Sequence, residues 1–171
     1  MTRTLTIFSA AFFLAACSTT SKQASLHETL PDKFDVFIGG FFGASYDIQI
    51  EGDHLLYTEA RPERPDFVHK HSLQIRPTAE EWRLFWKEAE ALDLWRWRSS
   101  YQPPAGQAID DGTQWRVEIS CGNRHIKSTG DNAYPSDKDA RETDPNTGQY
   151  SGRFRKFNEA IRRLIHGLPY G

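Results

Sequence analysis

The chain has 171 residues, 38% of them hydrophobic and 26% charged, with a formal net charge of −2. That length suits one domain, and 21 Lys and Arg against 23 Asp and Glu leave no electrostatic footprint for nucleic acid. Beyond the N-terminus no segment is apolar over the roughly 20 residues that a membrane-spanning helix needs.

The first residues carry one charge, Arg3, and an apolar run follows from Leu5 to Ala16, interrupted only by Thr6 and Ser9. This is the pattern of an export signal. Twelve helical residues rise about 18 Å, too short for a bilayer core of about 30 Å. The run ends in Leu14-Ala15-Ala16-Cys17-Ser18, which resembles the lipobox of bacterial lipoproteins: Leu at −3, small residues at −2 and −1, Cys at +1. The resemblance implies a diacylglyceryl thioether on Cys17, cleavage before it, and a third chain, palmitate in type, on the new amine. One acyl chain anchors marginally, at about 0.8 kcal/mol per buried methylene, so two or three hold firmly. Ser18 stands where retention in the inner membrane usually shows Asp. The implied location is therefore the bacterial cell envelope, at the outer membrane, with the domain facing either the periplasm or the medium.

The expected organisation is a signal peptide over 1–16, a lipidated Cys17 with a flexible tether over 17–32, and one globular domain over 33–171. Loss of Arg3 takes the net charge from −2 to −3. With Cys17 acylated, no pair of thiols remains for an intramolecular disulfide. The domain must then be held by its core, for which 11 Phe, 6 Tyr and 5 Trp supply bulk. The 15 polar residues 18–32 have a mean reach of about 20 Å.

Phe34 to Ile38 reads as a short strand, followed by the glycine-rich bend Gly39-Gly40-Phe41-Phe42-Gly43. Tyr46, Ile48 and Ile50 alternate with polar residues, and Gly52-Asp53 makes a two-residue turn. The spacing predicts the pairs Ile50–Leu55 and Ile48–Tyr57. Two prolines in residues 61–66 predict a chain break. Alternation then resumes from Phe67 to Arg76, with Phe67, His69, His71, Leu73 and Ile75 on one side.

Thr78 as N-cap and Glu81 as its capping-box partner start a helix over about 78–93. Trp82, Phe85, Trp86, Ala89 and Leu92 form its apolar stripe. Trp95 and Trp97 alternate with Arg96 and Arg98, which predicts an extended strand, and residues 102–112 a loop. Trp115, Val117, Ile119 and Cys121 share one face of a strand that turns at Gly122-Asn123. Register is fixed by two pairs, Ile119–Ile126 and Glu118–Lys127. Residues 130–148 read as a long polar loop, a class that is often functional or disordered. Phe154, Phe157, Ile161, Leu164, Ile165 and Leu168 mark a last helix over about 152–166, with Gly167 as its C-terminal cap. Strand runs with segregated helices predict an α+β fold, an antiparallel sheet from two hairpin regions with both helices on one face.

Several groups carry chemistry. His69 and His71 lie about 7 Å apart on one strand face and would bind zinc if His54, His125 or an acid converged on them; otherwise they cap the apolar stripe. Asp110-Asp111 would serve acid–base work or, with Gly112, an ordinary turn. His125 faces Ser120, with no Asp spaced to complete a triad. Cys121 is in phase with the core. Asp131, Asn132 and Tyr134 in the Gly130–Pro135 segment are candidate ligand contacts, or else local backbone ties with a packed ring. Trp95, Trp97 and Tyr101 are left over from the stripes and would form a carbohydrate platform or join the core. Arg153, Arg155, Lys156, Arg162 and Arg163 against Glu159 make a solvated face, or one drawn to anionic headgroups by about 1 kcal/mol per cation.

The segments Gly39–Gly43, Asp111–Trp115 and Gly130–Pro135 are similar to segments of uncharacterised bacterial proteins and imply no activity. The favoured expectation is a membrane-anchored, non-enzymatic module that binds a ligand, an envelope protein or a glycan, with no cofactor. An envelope hydrolase using Asp110, Asp111, His125 and the 130–135 loop is the alternative, and a structural spacer the third reading.

Overall fold

The computed structural model describes residues 30–40, 43–64, 67–106, 112–146 and 148–171. The expected leader, Cys17 and the tether up to residue 29 lie outside the described residues, as do Asp110 and Asp111.

Period-two alternation produces one seven-stranded sheet. Its strands are β1 (Lys33–Gly40), β2 (Ser45–Glu51), β3 (His54–Arg64), β4 (Phe67–Ile75), β5 (Ser100–Tyr101), β6 (Thr113–Cys121) and β7 (Arg124–Asp131), in the order β4-β3-β2-β1-β6-β7-β5. Every neighbouring pair is antiparallel except the two-residue contact of β5 with β7. Helices α1 (Ala79–Ala91) and α2 (Gly152–Leu164) cover one face of this sheet. On β1 and β6, Phe34 and Trp115 point to the same side; Phe34 meets Trp82 and Phe85 of α1, and Trp115 meets Phe154 of α2. The fold is therefore α+β.

The local signals account for most of the elements. Ile50 pairs with Leu55 and Ile48 with Tyr57, as the turn at Gly52-Asp53 requires. Ile119 pairs with Ile126 and Glu118 with Lys127. The Thr78–Glu81 capping box is complete, with each side chain bonded to the other residue's backbone. All five residues of the α1 stripe are buried, and so are Phe154, Phe157, Ile161, Leu164 and Ile165. Gly167, at φ 82°, donates its N–H to the Arg162 carbonyl at 2.7 Å and closes the end of α2.

Three expectations are corrected. Residues 61–64 do not break the chain, because β3 runs on through Arg64, while Pro65 and Asp66 lie outside the described residues. Pro62 lies beyond the last β2–β3 pair, Ser45–Ala60, where its missing N–H interrupts no ladder on that side, and a register shift between Pro62 and Arg64 absorbs it. Trp95 and Trp97 are not on a strand. Asp93 takes the left-handed conformation (φ 52°) and Leu94–Arg96 wind into a 3₁₀ turn. The 130–148 segment is polar in composition yet packed. Asn132, Ala133, Tyr134, Ser136, Ala140 and Asp144 are buried, and backbone bonds from Asp144 to Tyr134 and from Ser136 to Glu142, both 2.8 Å, cross it.

Candidate functional site

The three glycine-bearing segments singled out in the sequence meet at one end of the sheet. Gly40 pairs with Thr113, Gln114 with Asp131, and Trp115 with Gly130. The Trp115 indole lies across Gly130, where a Cβ would stand 2.2 Å from Nε1, and Nε1–H donates to the Ala133 carbonyl at 2.9 Å. Asn132, at φ 49°, turns the chain out of β7. Its Oδ1 accepts the Thr113 N–H at 2.7 Å, and Nδ2 donates to Asp131 Oδ1 at 3.1 Å. Tyr134 is buried beside Trp115, Phe154 and Tyr150. Burial drives its hydroxyl pKa well above the ordinary value, with Tyr150 adding to the effect. Of the three candidate ligand contacts, Asn132 and Tyr134 thus build the fold. Asp131 alone of these three lies on the sheet face opposite the helices.

That uncovered face holds an open groove of about 360 Å³, lined by Phe37, Gln102, Gln114, Trp115, Arg116, Thr129, Gly130 and Asp131. Outward positions of β1, β2, β6 and β7 supply its chemistry. Arg116 is held between Asp35 (2.8 Å) and Asp47 (3.3 Å), with its guanidinium 5.5 Å from the centre of the Phe37 ring. Burial, together with Asp35 nearby, raises the Asp47 pKa even though Gln49 and Arg116 pull it down. Asp131 pairs with no cation among the described residues. Three carboxylates thus face one guanidinium around the groove, which disfavours an anionic occupant. The sequence reading missed Phe37, Arg116, Gln114, Gln102 and Thr129. The β1–β6 pairing, which joins residues some eighty positions apart and leaves no local signal, sets Phe37 beside Arg116, and the β6–β7 pairing adds Thr129 opposite Arg116.

The other candidates disperse. Trp97 is 5% exposed, donates Nε1–H to the Leu92 carbonyl at 3.1 Å and packs edge-on against Trp115 and Phe157. Trp95 is half-buried, stacked on Trp86 and bonded to Glu90, with Arg124 over its ring. Tyr101 is buried and donates to the Ala140 carbonyl. No platform is left. His69 and His71 are exposed on β4 opposite Arg61 and Glu59. His54 is at the far end of β3 and His125 on β7, five strands away in the sheet order. Among the described residues no three His, Cys, Asp or Glu converge as a metal site. His125 faces Ser120 on an exposed position. It lies seven residues of extended chain from Asn132, about 23 Å, so the described members of the hydrolase set do not meet. Cys121 is 2% exposed in the core.

The basic face of α2 is largely spent on the fold. Arg153, with its side chain 12% exposed, donates to the Leu92, Ser136 and Asp137 carbonyls. Arg162 holds the Tyr170 and Gly171 carbonyls, and Arg163 lies 3.9 Å from Glu88. Arg155 and Lys156 remain for solvent. A second groove, of about 320 Å³, lies between the end of α1 and the start of α2, but the Asp137 carboxylate already takes the Gly152 and Arg153 N–H groups there. Comparison with protein-family models and with curated proteins gives no match.

Proposed function

We propose that the protein is a lipid-anchored envelope module that binds a neutral or basic partner, a glycan or a segment of an envelope protein, in the groove on its uncovered sheet face. One observation carries this reading: two amides, a hydroxyl, a carboxylate with no cationic partner among the described residues, the Arg116 guanidinium and the aromatic residues Phe37 and Trp115 share the groove, while no histidine or cysteine is among its lining residues. Such a set offers directional hydrogen bonds and a packing surface without a nucleophile–base pair. The lipobox resemblance at Cys17 supports the anchor, and the groove gives an anchored domain something to hold.

The test is photocrosslinking in cells. A photoreactive residue replaces Gln114 in the groove or, as a control, exposed Lys87 on α1. The expected result is a discrete adduct from position 114 that is absent from position 87 and lost on Asp131→Asn. Identical adducts from both positions would overturn the reading. For the anchor, Cys17→Ala is expected to abolish acyl labelling and membrane fractionation, and labelling that persists would remove it.

A further inference from the structure

The two ends of the sheet are finished differently. At one end the outer side of β7 is covered. β5 pairs with Thr129 and Gly130, the Thr129 N–H donates to the Ser99 carbonyl at 3.1 Å, and the Ser128 hydroxyl donates to the Arg98 carbonyl at 2.6 Å. At the other end β4 pairs with β3 alone, and among the described residues no backbone bond outside that ladder reaches it. Alternate residues of an antiparallel strand direct their N–H and C=O groups to opposite sides. A row of such groups therefore lies along the outer side of β4, over about 30 Å.

Natural edge strands are blunted by being short, by proline, by bulges or by charge. β4 runs nine residues without a proline. Every residue from Val68 to Gln74 is exposed, on both faces. Val68 and Leu73, one on each face, are 50% and 37% exposed. The β2–β3 ladder ends at Ser45–Ala60, while the β3–β4 ladder continues to Arg64–Phe67. The two strands thus run past the sheet as a ribbon, and a two-stranded ribbon is marginally stable in water. A third strand on the outer side of β4 would support it.

Charge selects the occupant. β4 carries Lys70, His69 and His71 and no acidic residue. Lys70 has no ion-pair partner among the described residues. The acids close by are already matched, Glu59 by Arg61 and Asp53 by Arg76. A second copy of the chain fits poorly. Two β4 strands laid antiparallel about His71 would bring the Lys70 and histidine side chains of both copies into one patch, and like charges across a strand pair destabilise it.

We propose that the outer edge of β4 takes up an extended, acidic segment of another protein as a further strand of the sheet. Main-chain hydrogen bonds hold the segment. Its carboxylates lie on the face of Lys70, and its aliphatic side chains on the face of Leu73. None of these residues lines the groove described above, so the two sites stand or fall separately.

Amide hydrogen exchange, read by NMR on the ¹⁵N-labelled full chain in detergent, tests this. The probes are alternating Glu-Val and Lys-Val peptides of about eight residues, within the ordinary length of a strand. Alternate β4 amides are expected to exchange fast in the free protein and to slow severalfold with the Glu-Val peptide but not with the Lys-Val peptide. Lys70→Glu, at an exposed position that leaves the core untouched, should weaken the Glu-Val peptide about tenfold and favour the Lys-Val peptide. Outward amides that stay fast with the Glu-Val peptide, or slow equally with both, would overturn the proposal. So would slowing before any peptide is added that grows with protein concentration, which would assign the edge to a second copy.

Discussion

Gly112 stands where a side chain has no room. A Cβ at that position would lie 1.6 Å from Asn132 Nδ2, inside the bond that ties Asn132 to the Thr113 N–H. Gly112→Ala therefore overpacks the site and is expected to destabilise by about 1–3 kcal/mol. Asn132→Ala strands a donor, which costs about 1–3 kcal/mol, and puts alanine in a left-handed conformation that asparagine tolerates better. The two sites touch, so their effects are not expected to add. In the double variant the alanine at 112 meets a truncated neighbour, and the summed loss should exceed the measured one by about 1 kcal/mol or more. Urea unfolding of the four proteins measures this. Additive losses would mean that the contact is not why residue 112 is glycine. The same reasoning turns Gly130-Asp131-Asn132-Ala133-Tyr134-Pro135 from a candidate binding loop into the device that seats Trp115 and closes β7.

Among the elements, α1 rests on its start signal. Thr78 Oγ1 accepts the Glu81 N–H, and Glu81 takes the Thr78 N–H at 2.7 Å. Thr78→Ala is expected to cost about 1 kcal/mol in urea unfolding, while Thr78→Ser should cost much less because serine caps as well. Equal losses would show that packing, rather than the cap, fixes this end. This helix was legible because its signals are local: a cap, a box whose two members lie three residues apart and an apolar stripe at helical spacing. The two hairpins were legible for the same reason, since Gly52 and Gly122 supply the positive φ of their turns. The Trp95–Trp97 segment was not. Its alternation fits a strand, but the Trp97 indole must reach the Leu92 carbonyl, and a 3₁₀ turn after Asp93 allows this. The groove was not legible either, because Phe37 and Arg116 become neighbours through strand pairing across the chain. Of its residues only Asp131 is a ligand-contact candidate in the sequence, and for a loop role shared with two residues that turn inward.

For the whole molecule, one continuous aromatic core runs beneath the sheet, and tyrosine hydroxyls are built into it. Tyr57 donates to the Pro169 carbonyl at 3.1 Å, and burial pushes its pKa up to about 12, with Glu59 adding to the shift. Burial also raises Tyr101, Tyr134, Tyr150 and Tyr170. A phenol whose folded pKa exceeds its unfolded value of about 10 stays protonated in the native state while the unfolded chain ionises. The stabilisation from these groups is therefore complete below about pH 10 and is lost as pH rises towards the folded values. Five of the six tyrosines share this direction, so their losses coincide. The expected titration at 295 nm is flat for these five through about pH 10, then rises in one cooperative step together with the loss of tryptophan tertiary signal. Gradual ionisation near pH 10 with the tertiary signal intact would mean that the hydroxyls reach solvent in the native state.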